Sequence, residues 1–209
     1  MFEGKSILDL IQIGGATMYV LLFCSVLSVT VMVERLFAFR RKTRKNQTFF
    51  MARFGDLVAR GDFSGARELC ATEASPFANV AVAGLRLEGK SNEKISNAMD
   101  RQISVEVKEL EKFLSVLGTI GSTVVYIGLF GTVLGIINSF QQIAVSAGGG
   151  GGMDTVITGI AEALICTATG IFVAVPAVIA FNMLSKRVEN ITTDMELVAS
   201  ETGDLLAKD

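Results

Sequence analysis

The sequence contains no histidine and no tryptophan, and only two prolines and three cysteines among its 209 residues. Without histidine there is no imidazole to hold a metal or relay a proton. Cys24, Cys70 and Cys166 lie far apart and match no metal-ligand spacing, so they read as reduced, structural thiols, and neither metal nor cofactor is expected. Charge is also scarce: 19% of residues are charged, and the net charge of −2 includes no basic patch that would hold nucleic acid. The glycine-rich "GLFGTVLG" at 128–135 lacks the Lys and Ser/Thr of a phosphate-binding loop and sits in an apolar run. An intramembrane hydrolase would need a second carboxylate, or a Ser or Cys with its base, and the spans offer neither, so the chain reads as a non-enzyme.

What is abundant is apolar length: half of the residues are hydrophobic, and the charges avoid three long intervals. No charged residue lies between Asp9 and Glu34, none between Lys112 and Asp154, and only Glu162 between Asp154 and Lys186. A helix crosses the hydrocarbon layer with about 20 residues. The fold class expected is therefore all-α, an integral membrane protein with three transmembrane helices, the second and third long and extended into the cytoplasm. The expected boundaries are an interfacial helix at 1–15, spans at 16–39, 113–145 and 156–185, a helical cytoplasmic region at 40–112, an outward Gly-rich loop at 146–155, and a cytoplasmic C-terminal helix at 186–209. Orientation follows from Arg35, Arg40, Arg41, Lys42, Arg44 and Lys45 after the first span and Lys186 and Arg187 after the third, because basic residues stay inside. The same basic cluster would attract anionic membrane lipid. In the cytoplasmic region, short helices are expected around 49–62 and 63–71, with a break at Ser75-Pro76 and a new start near Ser91. From Glu93 to Leu117 there is neither Gly nor Pro, and Ile103, Val107, Leu110 and Leu114 share a face, which predicts one helix running unbroken into the second span.

Along that span runs a second stripe: Gly118, Gly121, Val125, Gly128, Thr132, Gly135 and Ser139, at alternating spacings of three and four. Small residues in such a stripe let membrane helices approach closely. Thr132 stands apart in the middle of it, since its hydroxyl can relay a hydrogen bond. The five glycines at 148–152 mark a hairpin centred on residue 150. Antiparallel helices then set Thr132 and Thr167 at one depth, within about one helical rise of 1.5 Å, and Glu162 level with Asn138, roughly 7 Å further out.

Glu162 is the only ionisable side chain well inside a span. A charged group there costs about 2.5–3.5 kcal/mol on insertion scales and is found facing a bundle interior or water. Gly159, Ala163, Thr167, Gly170 and Ala174 surround it on one arc, all small. No Lys, Arg or His in any span can pair with it. Two readings stand: an ion-handling carboxylate, or a neutral carboxyl hydrogen-bonded between helices.

The stretches "IGSTVVYIGLFGTVLGIINSFQQIA" and "GIAEALICTATGIFVAVPAVIAFN", with "VERLFAFRRK" after the first span, resemble the MotA/TolQ/ExbB proton-channel family, and the three-span layout resembles its ExbB and TolQ branch. That resemblance implies an inner-membrane homo-pentamer with its N-terminus in the periplasm. Its pore would hold an ExbD-like or TolR-like partner in two copies, each with one intramembrane Asp. It would use the proton motive force to drive a TonB-like or TolA-like envelope protein, TonB-dependent transport being the first expectation and envelope maintenance or motility the alternatives; a non-conducting membrane scaffold is a further alternative. The family's proton-pathway positions carry over to Thr132, Glu162 and Thr167, with Gly121, Gly128, Gly135 and Ser139 as the packing stripe and Pro176 as a kink in the third helix. One departure stands out: Val124-Val125 occupies the place where the family commonly has Ala-Pro, which leaves open whether the second helix bends there.

Overall fold

The computed structural model describes residues 15–42, 47–73, 75–145 and 152–206. Most of the expected interfacial helix, the basic residues Arg44 and Lys45, and the 146–151 part of the Gly-rich loop lie outside these. Among the described residues all regular structure is helical: α1 Gly15–Lys42, α2 Gln47–Ala59, α3 Phe63–Glu73, α4 Pro76–Leu85, α5 Asn92–Leu110, α6 Leu114–Val145 and α7 Gly152–Leu206. Three helices are long and apolar enough to cross a membrane, over Gly15–Arg40, Leu114–Gln142 and Val156–Leu206.

The chain divides into two compact units, Met1–Val33 with Phe113–Asn182, and Glu34–Lys112 with Met183–Asp209. In the first, α1, α6 and α7 pack around Met18, Leu21, Ile120, Val124, Cys166, Val173 and Ala177. The glycine stripe of α6 faces α7. A Cβ added at Gly121 would lie 2.7 Å from Val178, one at Gly128 would lie 2.8 Å from the carbonyl oxygen of Cys166, and one at Gly135 would lie 2.7 Å from Ala163. The facing positions Gly118 and Phe181, Gly121 and Val178, Gly135 and Ala163, and Ser139 and Gly159 each have a midpoint within about one residue of 150. The antiparallel register is thus the one expected from the five-glycine turn. α6 continues without a break past Val125, and Pro176 lies inside α7, where it removes one backbone donor.

The second unit has a core of a different kind. α4 starts where Ser75 Oγ accepts a hydrogen bond from the Ala78 N–H at 3.2 Å and Pro76 occupies the first turn. It is buried over most of its length and packs against α5, with Met99 beside Gly84. Phe50 and Phe54 of α2 stack at 5.6 Å. On the C-terminal part of α7, Val188, Ile191, Met195 and Val198 are all buried, the face expected from their spacing. The buried Glu106 carboxylate accepts from Asn79 Nδ2 at 2.8 Å and Gln102 Nε2 at 3.1 Å. Buried Arg35 donates from Nε to Glu34 at 2.5 Å and from an Nη to the Glu109 carbonyl at 3.4 Å.

One expectation fails. The stretch from Glu93 to Leu117 is two helices, because α5 stops at Leu110 and α6 starts at Leu114, with Phe113 in the left-handed region at φ +64°. The break coincides with the boundary between the units. The charged, amphipathic α5 belongs to one packing and the apolar α6 to another. Tertiary packing overrides the local preference for a continuous helix, at a backbone cost of about 1–3 kcal/mol for a non-glycine residue in this region.

Candidate functional site

The membrane-type unit brings together two of the three polar positions singled out above. Thr132 projects from the middle of the α6 stripe and Thr167 from α7, and their hydroxyls hydrogen-bond directly to each other. Each also reaches backbone acceptors: Thr132 Oγ1 lies 3.3 Å from the Gly128 carbonyl oxygen and 3.1 Å from that of Ala163, and Thr167 Oγ1 lies 3.3 Å from the Gly128 carbonyl. The contact exists because the backbones meet. A Cβ on Gly128 would fall 3.3 Å from the Gly170 Cα, and one on Gly170 would fall 3.0 Å from the Val124 carbonyl oxygen. The depth argument from sequence gave equal level only; the structure adds contact.

A hydroxyl has one proton to donate. The pair therefore has two complete arrangements. In one, Thr167 donates to Thr132, which donates to the Ala163 carbonyl; in the other, Thr132 donates to Thr167, which donates to the Gly128 carbonyl. Passing a proton along the pair converts one arrangement into the other. Neither hydroxyl can hold an extra charge near neutral pH, so the pair can relay but not store.

Glu162 is not in contact with this pair. It is half-buried and lines a cavity of about 650 Å³ together with Asn138, Ser139, Gln142, Thr158 and Thr17. Asn138, expected at the level of Glu162, does share its cavity. Thr17 was not visible to sequence reasoning: it is one hydroxyl near the start of a long apolar helix, and nothing in its spacing ties it to Glu162. Its Oγ1 lies 3.7 Å from Cys166 Sγ, and a Cβ on Gly131 would come within 2.7 Å of it. Ser139 is buried and donates to the Gly135 carbonyl at 2.8 Å, with Gly159 pressed against it. Gly121, Gly128 and Gly135 are seam positions with Ser139, and Pro176 is exposed on α7.

Part of the chain is similar to known proteins. The Tol-Pal system protein TolQ of Pseudomonas aeruginosa is 52% identical over 97 residues, which cover 46% of this chain and 41% of that protein. TolQ of Haemophilus influenzae is 46% identical over 97 residues, covering 46% and 42% of the two chains. The biopolymer transport protein ExbB of Xanthomonas campestris pv. campestris is 35% identical over 116 residues, covering 56% and 45%. The aligned part spans less than half the length of each of these curated relatives. The model of the MotA/TolQ/ExbB proton channel family matches residues 72–197, more than half of the chain and the whole of the Thr132, Glu162 and Thr167 constellation. The chain is a member of the MotA/TolQ/ExbB proton channel family.

Proposed function

We propose that this chain forms the wall of a proton channel in a bacterial inner-membrane motor, with its N-terminus in the periplasm and its C-terminus in the cytoplasm. The observation that carries the reading is the Thr132–Thr167 hydroxyl pair, set in an apolar three-helix unit, with the Glu162 carboxylate on α7 towards the loop end from Thr167. Threonines relay protons and cannot carry them, so the carrier at their level comes from elsewhere. The family resemblance supplies one: an Asp on an ExbD-like or TolR-like single-span partner, two copies of which sit inside a homo-pentamer of this chain.

Protons pass Glu162 from the periplasmic side, neutralise the partner's Asp beside the threonines, and leave to the cytoplasm. Each crossing is worth about 2.3 kcal/mol per 100 mV. Alternation of that Asp between charged and neutral forms shifts the partner inside the ring, and the work passes to a TonB-like or TolA-like envelope protein. Uptake through TonB-dependent transport is one destination of this work. Envelope maintenance is the second reading, and the higher identity to the two TolQ proteins favours it.

The test is proton flux through the complex co-purified with its partner and reconstituted in vesicles. Glu162→Gln and the double change Thr132→Ala with Thr167→Ala are each expected to abolish flux while leaving the oligomer intact. Wild-type flux in either variant rejects the pathway, and a tight complex with no flux in the native protein leaves the scaffold reading. Mass identification of the co-purified single-span protein separates the two destinations.

A further inference from the structure

The second unit carries opposite charges on two of its helices. On α5, Lys94, Arg101 and Lys108 recur every seven residues and share, with Val105, the face opposite the buried Met99. The three charges are exposed, Val105 is 60% exposed, and no acid lies four residues before or after any of the three. Their charge is thus not matched along their own helix. On α7, Glu189, Glu196 and Asp204 form a second exposed stripe beside Leu197, which is 51% exposed. Glu196 has no base within four residues, and Glu189 meets Lys186 at 2.8 Å in an exposed pair of the kind that contributes little.

The two stripes lie at matching levels. Within this unit a Cβ on Gly203 would lie 3.8 Å from Met99 Cε, and one groove is lined by Ser96 and Asp100 from α5 and by Glu196 and Ser200 from α7. These facing positions have midpoints within about two residues of 150. So do Lys108 with Glu189, Arg101 with Glu196, Lys94 with Asp204, and Val105 with Leu197. Each pair therefore lies within about 5 Å along the helices, inside the reach of a Lys or Arg stem. In one protomer the basic face cannot meet the acidic one, because α5 turns Met99 toward α7 and the basic residues the other way. Packing either stripe against its own copy sets like charges together. A copy of the same orientation, rotated about an axis along the helices, sets α5 of one chain beside α7 of the next and matches all four pairs at once; such head-to-tail contacts close into rings.

We infer that the Lys94, Arg101 and Lys108 stripe of one copy docks on the Glu189, Glu196 and Asp204 stripe of the next, with Val105 against Leu197 at the centre of the contact. The inference rests on the ring proposed above for the presence of several copies. It adds which two surfaces meet, in what register, and why association is head to tail.

The test is cross-linking between full-length chains. One chain carries Val105→Cys and a second, co-expressed with it, carries Leu197→Cys; membranes holding the complex are treated with a short bismaleimide. Linked dimers are expected from the mixture, whereas either variant alone is expected to give only the background of the native Cys24, Cys70 and Cys166, measured in the unaltered chain. Dimers above that background from either variant alone, or none from the mixture, overturn the docking. Adding Arg101→Glu to the first chain is expected to lower the mixed yield about two- to fivefold, the range that exposed ion pairs give, and adding Glu196→Arg to the second is expected to restore it. An unchanged yield with Arg101→Glu, or no recovery with the charge exchange, overturns the ionic match. The native mass of the detergent-extracted complex separates the two levels of failure: several copies without the mixed link remove this interface and leave the ring standing, and a single copy removes both.

Discussion

In the unit built from Met1–Val33 and Phe113–Asn182, Gly128 and Gly170 bring α6 and α7 together backbone to backbone, and hydroxyls fill the seam. In the other unit Phe77, Leu85, Ile95 and Met99 fill the space between helices, and the buried polar groups Glu106 and Arg35 are matched by side-chain partners. The contrast follows from the solvent each segment is composed for. Between helices surrounded by lipid there is no hydrophobic force to harvest, so contact depends on close approach and dispersion. In water, burying large apolar side chains stabilises by about 25 cal/mol per Å² and tolerates looser backbones. The glycine seam of the first unit is thus both its cohesion and the reason two threonine hydroxyls can touch.

The largest expected effect compares two glycines. A Cβ at Gly128 meets the Cys166 carbonyl oxygen at 2.8 Å, and a backbone atom cannot step aside without moving the helix. A Cβ at Gly84 in α4 also meets an atom at 2.8 Å, but that atom is the sulfur of Met99, on a flexible side chain. Gly128→Ala is expected to cost about 1–3 kcal/mol of overpacking, to separate the threonine pair, and to abolish proton flux. Gly84→Ala is expected to stay within about 1 kcal/mol of wild type, since the better helix propensity of Ala offsets the rotation of Met99. Thermal unfolding in detergent with flux in vesicles reads both. Equal losses would mean that the seam is no more rigid than the soluble-type core.

The same contrast explains what the sequence disclosed. The α6–α7 seam was legible because a backbone contact demands small residues at helical spacing, and the glycine run fixed the register by symmetry about residue 150. The face of Val188, Ile191, Met195 and Val198 was legible by ordinary periodicity. The break at Phe113 was not, because neither glycine nor proline marks it and two separate packings impose it. Nor was Thr17, since a single hydroxyl on an apolar helix acquires its meaning only from the cavity opposite it. Positions 1–14 and 146–151 carry expectations that the described residues do not reach.

A second substitution separates polar groups by how they are satisfied. Glu106 is buried and accepts from the exposed Asn79 and the half-buried Gln102, so Glu106→Ala removes two hydrogen bonds to a charged group. A loss of about 1–3 kcal/mol is expected. Ser139 in the first unit donates to the Gly135 carbonyl of its own helix, and Ser139→Ala leaves a carbonyl whose helical hydrogen bond remains. That change is expected to cost within about 0.5 kcal/mol. A larger loss for Ser139→Ala than for Glu106→Ala, by the same unfolding measurement, would show that hydroxyls rather than glycines hold the seam.

The smallest effect is a pH dependence confined to the second unit. Burial in α3 pushes the Cys70 thiol up to about 11 from its ordinary 9.0, and the nearby Glu73 carboxylate adds to the rise. The folded chain therefore keeps this proton to higher pH than the unfolded chain does. Its contribution to stability is complete below about pH 9 and is lost as pH rises toward 11, because the unfolded thiol ionises first. Other groups titrate in that window, so the readout is a difference: hydrogen exchange over residues 63–85 in the native chain and in Cys70→Ala. The native chain is expected to lose protection more steeply between pH 9 and 11 than the variant, while α6 shows no difference between the two. Parallel slopes over 63–85 would mean that the thiol is solvated enough to ionise in place, and that the core of this unit is wetter than its apolar packing implies.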